Sequence, residues 1–413
     1  MGDALTCSFP PSDESEFSLR RAVFAVLLLL VSLTVGVFAF GSWSVDGVRA
    51  NVFGEKSPAA AEQVLSGSPG VSPTDQGAVP TTLEVAGAVK PIVHTAPSIE
   101  IAWVGDTTPG SRYGLPPNVG REQFSGVKPA LRKPDLTIGN LEGTLGSGGP
   151  EKCGMGSASC YAFQAPASYA KSLHEAGFDV FSLANNHALD YGNSGQRQTV
   201  AALDRNRIAH TGRPGETAFV SRKGIRIAVL AFAPYSWADP LLDIYTARRR
   251  IKEAAASADI VVVAIHAGAE GSDKVHVPEG YESAYGENRG NSRLFAHMAV
   301  DAGADLVVGS GPHVLRGVEQ YKGHVIAYST GNFSGYKNFG SGGALSLSGI
   351  VKVRLTKEGK TLSGAWVPVK LVGPGLPVID GSGAALALVR QVSNADFGRN
   401  SAKPDSSGSF HLR

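Results

Sequence analysis

The stretch Asp305–Tyr336, DLVVGSGPHVLRGVEQYKGHVIAYSTGNFSGY, reads as two buried strands that each open into a polar loop. Leu306-Val307-Val308 is short and apolar, and Gly309-Ser310-Gly311-Pro312 closes it in a turn that hands over to His313. The second run, Val325 to Tyr328, breaks at Thr330-Gly331-Asn332-Phe333. If the two strands are parallel, both loops open on the carboxyl edge of one sheet, where open α/β sheets bind their ligands.

The same pattern repeats upstream. IEIAWVGD, from Ile99, is an apolar strand ending at Asp106. The strand Asp135–Ile138 ends in Gly139-Asn140-Leu141-Glu142, and Val180–Leu183 runs into Ala184–Gly192, which carries Asn185, Asn186 and His187. Ile260–Ile265 is almost purely β-branched and stops at His266. Between these strands, apolar residues recur at helical spacing over Pro166–Gly177, Arg197–Asn206, Ala247–Ala258 and Asn291–Gly303. Strands alternating with helices predict a layered α/β domain. After Ser346 a hairpin around Lys357-Glu358-Gly359-Lys360 predicts a mixed edge to the sheet, and polar Ser401–Arg413 is expected to fray.

Of 413 residues, 38 are Lys or Arg and 36 are Asp or Glu, a balance that offers nothing to a nucleic acid. Ala22–Gly41, AVFAVLLLLVSLTVGVFAFG, is uncharged and meets the roughly 20 apolar residues a bilayer requires. Arg20 and Arg21 precede it and no small-x-small cleavage site follows, so an uncleaved, single-pass signal anchor is expected, with residues 1–21 cytoplasmic. Residues 42–98, rich in Ala, Pro, Gly, Ser, Thr and Val without period, read as a flexible stalk. Cys153 and Cys160 share a polar loop with six residues between them. A local disulfide fits an extracytoplasmic position; two reduced thiols are the plainer alternative, and the spacing does not suit zinc.

Five polar clusters thus fall at strand ends: Asp106, Glu142, Asn185-Asn186-His187, His266 and His313. An acid after a strand can simply cap the next helix, and an asparagine can merely stabilise a turn. Taken together, two acids, an amide oxygen and imidazoles form a mixed oxygen and nitrogen donor set suited to Mn, Zn or Fe. Such sets can hold two divalent ions about 3.5–4 Å apart and activate water for attack on phosphorus. No phosphate-binding P-loop and no G-x-S-x-G elbow competes, and Ser182, Ser310 and Ser329 lack a nucleophile's surroundings.

These motifs resemble those of the CapA family, the poly-γ-glutamate capsule-synthesis proteins, whose domain is similar to calcineurin-like metallophosphoesterases. The resemblance spans about Ile99 to Val378, through VGD (104–106), GNLE (139–142), SLANNHALDYG (182–192), H-x-G-x-E (266–270), PHVLRGVE (312–319) and YSTGNF (328–333). It implies a four-layer α/β sandwich over residues 99–378 with a mixed sheet, followed by a C-terminal helix and tail over 379–413. It further implies Asp106, Glu142, Asn186, His266 and His313 as metal ligands and His187 as the catalytic acid. Asn140, Asn185, Glu270 and Asn332 would contact substrate. Thr108 and Ser310 stand where histidine ligands are expected, and Ala267 replaces a common tryptophan. One tight divalent site and a weak second follow. The implied role is in envelope-polymer metabolism beside membrane synthesis and export proteins, on an anionic polymer or phosphoester. It is either that of a metal-dependent hydrolase or that of a non-catalytic accessory subunit.

Overall fold

The structure, a computed structural model, describes residues 97–153 and 160–413. The expected tail, membrane span and nearly all of the stalk lie outside the described residues. No helix among the described residues is long and apolar enough to cross a membrane.

Four strands, β1 (Ser98–Thr108), β2 (Leu136–Leu141), β3 (Val180–Ser182) and β4 (Ala209–Thr211), lie parallel in one sheet. The chain then enters a second sheet through β5 (Ala218–Arg222), β6 (Ile225–Ala233) and β7 (Ile260–His266). It makes a separate hairpin, β8 (Glu282–Ala284) and β9 (Glu287–Gly290), and returns as β10 (Leu306–Ser310), β11 (Val318–Tyr321) and β12 (His324–Ala327). Next, β13 (Asn332–Gly335) crosses back to pair with β1. Finally β14 (Leu347–Thr356), β15 (Thr361–Val372) and β16 (Leu376–Ile379) extend the first sheet antiparallel. The orders are β16-β15-β14-β1-β2-β3-β4, with β13 off β1, and β11-β12-β10-β7-β6-β5, with Asp239–Pro240 off β6.

Alternation along the strands builds the layers, because successive side chains point to opposite faces. In β1, Ile99, Ile101 and Trp103 face the second sheet, packing with Val229, Ala231, Val262 and Val308. Ala102 and Val104 face outward, against α2 (Tyr169–Ala176) and α3 (Gly192–Arg205), the helices after α1 (Lys128–Arg132). On the far side, Leu230, Val261 and Val263 pack against α4 (Ile244–Ala255) and α5 (Ser292–Asp301). Helix, sheet, sheet and helix therefore stack in four layers. Asp243 and Asn291 cap α4 and α5 by accepting from the backbone N–H groups of Thr246 and Leu294.

Two features differ from the sequence reading, the strand Val318–Tyr321 and the docked tail. Val318–Tyr321 is a strand, turned onto β12 through Lys322-Gly323, both at positive φ (49° and 86°). Such two-residue turns match strand twist. Residues 401–413, expected to fray, dock instead: Ser409 bridges to Ala365, Ser401 to Glu319, and Phe410 is buried. The C-terminal α6 (Ala384–Phe397) buries Ala385 and Val389 in the core between the sheets.

The stretch 305–336 thus ties the two sheets together where the loops converge. Gly105, at the bulge before Asp106, lies so close to the Gly331 carbonyl that a Cβ would sit 2.1 Å from its oxygen. Asp106 N–H donates to that carbonyl at 3.2 Å. Only glycine permits this approach.

Candidate functional site

Asp106 lies near the end of β1, Glu142 follows β2, Asn185–His187 follow β3, His266 ends β7 and His313 follows β10, so parallel strands of both sheets deliver them to one place. Asp106, Glu142 and His266 are fully buried, with one donor atom from each within 4.8 Å of the others. His313 joins them: its Nδ1 lies 3.1 Å from Asp106 Oδ2 and its Nε2 3.9 Å from Glu142 Oε1. Its backbone is left-handed, φ 62°, a strained conformation for a non-glycine residue and one found at functional sites.

Burial and mutual charge perturb every ionisable group of the cluster. Burial pushes Asp106 up, but the hydrogen bond and charge of His313, with His266 and Asn140, bring it to about 2. Burial, reinforced by the Asp106 carboxylate, holds Glu142 well above the usual carboxylate range. Burial opposes the charged form of His313, yet Glu142, Asp106 and Glu270 together raise it to about 10. Burial drives His266 well below its ordinary value. Both Glu142 oxygens and Asn186 Oδ1 are buried and accept no hydrogen bond. A buried acceptor set left open in this way is costly, and a divalent cation satisfies it. The residues therefore fit a metal ion.

The asparagines divide by role. Asn140 Nδ2 donates to Asp106 Oδ1 at 2.9 Å, and its Oδ1 accepts from Asn185 Nδ2 at 3.0 Å. Asn185 also donates to the Leu141 carbonyl and accepts from His187 N–H. Both are fully buried, so in place of the expected substrate contacts their hydrogen bonds are spent bracing the ligand loops. Asn332 accepts from His313 Nδ1 at 2.8 Å and donates to the Leu345 carbonyl, which orients the imidazole. Glu270 and Asn332 line a cavity of about 270 Å³ that also exposes His187 and His313. Ser310 Oγ lies 3.2 Å from His266 Nδ1.

Other histidines stand away from the cluster, among them His210 beside Glu216, His297 beside Glu319, His324 against the Asp305 carbonyl, and His174 on α2. Three residues escaped the sequence reading. Asp190 holds His187 Nδ1 at 2.8 Å, and the pair is backed by Lys152, whose Nζ lies 2.6 Å from Asp190 Oδ1. Burial lowers the His187 pKa, and Asp190 partly restores it. Lys152 adjoins the Cys153–Cys160 disulfide. Asp190 could have been found, three residues after His187 in a polar turn. Arg289, on β9, is 1% exposed and donates to Glu270 Oε1 at 2.7 Å, to Tyr235 Oη and to the Gly311 carbonyl. Its Nη2 lies 3.5 Å from His266 Nε2. It sits in an aperiodic polar segment that carries no signal.

Residues 100–336 match the family model described as "Bacterial capsule synthesis protein PGA_cap". Capsule biosynthesis protein CapA of Bacillus anthracis is 30% identical over 284 residues, 61% of this chain and 64% of that protein. PGA biosynthesis protein CapA of Bacillus subtilis (strain 168) is 31% identical over 51% of this chain and 56% of that protein. A probable polyglutamine synthesis accessory protein of Mycobacterium tuberculosis (strain ATCC 25618 / H37Rv) is 30% identical over 37% and 44%. The chain thus spans less than two thirds of the length of these relatives. Among solved structures, a 5'-nucleotidase precursor from Thermus thermophilus is 13% identical over 72% of this chain and 59% of that one, with a TM-score of 0.38. That likeness is too loose to bear on activity. The family match covers more than half of the chain and includes every strand end that supplies a site residue, so this chain belongs to the bacterial capsule synthesis protein PGA_cap family.

Proposed function

We propose that this protein is a membrane-anchored, extracytoplasmic member of a capsule or envelope-polymer synthesis machinery, and that its domain is a metal-dependent hydrolase of the metallophosphoesterase type. The observation that carries the chemistry is Glu142, whose two carboxylate oxygens are buried without partners between His266 and His313. The relatives named for capsule and PGA biosynthesis support the polymer context. The apolar segment 22–41 and the Cys153–Cys160 disulfide support the membrane and its outer face.

Asp106, Glu142 and His313 would hold one divalent ion tightly, with Asn186 and His266 adjoining. When bound, such an ion supplies Lewis-acid polarisation and a water of lowered pKa. The remaining work belongs to the chain. Asn332 and Asp106 engage His313 Nδ1, leaving Nε2 as the nitrogen free to ligate. Asp190 fixes the ring of His187 through Nδ1, leaving Nε2 to give a proton to a leaving oxygen in the cavity that His187 lines. Phe163 covers the same imidazole at 4.4 Å between ring centres, which limits water at that face.

A non-catalytic accessory role is the second reading, favoured by serine at position 310 and by Arg289 beside His266. Elemental analysis of the purified protein, paired with hydrolysis of p-nitrophenyl phosphate and bis-p-nitrophenyl phosphate, separates the two. The hydrolase reading expects a bound divalent ion and turnover lost in Asp106→Asn. Asp190→Asn should lower turnover roughly 10–100-fold with metal content unchanged, as loss of an orienting partner does. A metal-replete protein without turnover on either ester would leave the accessory role.

A further inference from the structure

We infer that the cavity beside the metal-type cluster receives an uncharged, ring-shaped group of the sugar class, and not a segment of a carboxylate chain. This rests on the proposed function only in placing the reacting bond at the cluster.

The walls carry the argument. Tyr161 and Tyr285 line the mouth at 52% and 85% exposure, with Phe339 beside His313 at 5.7 Å between ring centres. Tyr285 occupies the tip of the β8–β9 hairpin at φ 52°, followed by Gly286 at φ 80°. Asparagine, aspartate or glycine sits there without strain, so a conformational cost is accepted to present a large exposed ring at the cavity. Among the described residues, the only permanently charged one lining the cavity is acidic: Glu270, already paired with Arg289. Neither lysine nor arginine is among those lining residues, and the nearby cations are committed, Lys152 to Asp190 and Arg112 to Glu151. A polycarboxylate would meet an acid and aromatic faces, because the one cationic side chain in the lining, the His313 imidazole, is already held by the Asp106 carboxylate at 3.1 Å.

A pyranose meets these walls differently. Its C–H faces are apolar and its hydroxyls lie at the edge. Asn338 offers the matching donor: its Oδ1 accepts from Ser111 Oγ, while its Nδ2 is buried with no partner. A purely apolar ring would leave that N–H unsatisfied, and a hydroxyl would not. The volume, about 270 Å³, lies near the lower end for ligand pockets and suits one ring unit at a time.

The test uses the full chain purified in a non-glycosidic detergent, with ligand-observed saturation-transfer NMR and calorimetric titration. The probes are an N-acetylglucosamine tetramer and a γ-linked tetraglutamate. The sugar should bind and the tetraglutamate should not. Tyr161→Ala and Tyr285→Ala, both at exposed positions, should each weaken the sugar roughly three- to tenfold, the range such ring contacts are worth. Tyr285→Phe should retain binding, and Asn338→Ala should lose affinity. Binding of the tetraglutamate in place of the sugar, binding of neither, or sugar binding indifferent to both tyrosines would overturn the inference. The readout is contact, so Asp106→Asn should bind sugar even without metal. A wild type that binds sugar but no metal would sink the hydrolase reading and leave this one standing.

Discussion

Replacing Glu142 with glutamine tests the metal reading at its most exposed point, because that carboxylate is fully buried and neither oxygen accepts a hydrogen bond. An ionised carboxylate left so would cost several kcal/mol. Burial first and then the Asp106 carboxylate raise the Glu142 pKa, which favours the protonated acid in the metal-free domain. Glutamine is neutral and nearly isosteric with that protonated acid, so in EDTA the variant should match wild type to within about 1 kcal/mol. With Mn²⁺ at a hundredfold excess over its Kd, wild type should gain about 2.7 kcal/mol, the mass-action value. For a domain of more than 300 residues that is roughly 4 °C in melting temperature. The variant should lose most of that gain.

The assay is thermal denaturation of wild type, Glu142→Gln and the exposed control Glu358→Gln, each in EDTA and in excess Mn²⁺. Ligation must displace protons from Glu142 and His313, both raised above their ordinary values. Apparent Mn²⁺ affinity should therefore climb with pH, roughly tenfold per unit for each proton displaced. A wild type that melts at one temperature in EDTA and in Mn²⁺, or a Glu142→Gln protein that gains as much as wild type, would refute the reasoning.

In EDTA, the His313 contribution, with a folded value of about 10 against 6.5, is fully present below pH 6.5 and is lost as pH rises through about 10. The Asp106 contribution, about 2 against 3.8, is present above pH 3.8 and lost as pH falls through about 2. Metal-free melting temperatures should thus peak between these limits, and His313→Gln should flatten the alkaline limb; an unchanged limb would count against the ion pair. Arg289→Met combined with Ser310→His should raise bound metal from one ion toward two by elemental analysis, and a stoichiometry still at one would show that neither residue limits it. Of the three cysteines, protein isolated from membranes without reductant should label one with maleimide before reduction and three after, and full initial labelling would disprove the Cys153–Cys160 bond in the cell.

The ligand cluster was legible because of where it lies. Strands as apolar as Ile260–Ile265 leave a terminal histidine nothing to do in the core, so its position at the sheet edge is informative. Parallel pairing then brings the ends of β1, β2 and β3 and those of β7 and β10 to one edge each, and β13 carries the chain from one sheet to the other. What stayed hidden is what the sequence pattern does not encode. Arg289 reaches the site from a hairpin whose residues show no period, and only the folded path of β8 and β9 aims it at Glu270. Asn140 and Asn185 are expected as substrate contacts only through the family resemblance. Their amides point into the protein, a distinction set by side-chain direction alone. The tail 401–413 is polar in composition, yet Phe410 anchors it, one aromatic outweighing the serines around it.

Charge balance bears on how many ions this site holds. Its carboxylates are Asp106, Glu142 and Glu270, and its permanent cation is Arg289, 2.7 Å from Glu270. Without metal, a proton on Glu142 and a charged His313 leave two carboxylates facing two cations. When both give up their protons, three carboxylates face one guanidinium, and a single divalent ion restores neutrality. A second ion would leave the buried cluster with two excess positive charges, which burial penalises strongly. Local contacts point the same way: the neutral His266 ring has one lone pair, and with Ser310 Oγ at Nδ1 and the Arg289 guanidinium donating toward Nε2, a metal must compete with the arginine for it. Arg289 thus takes over part of the charge that a second cation would bring, and the serine at position 310 belongs with that arginine as one arrangement built around a single ion.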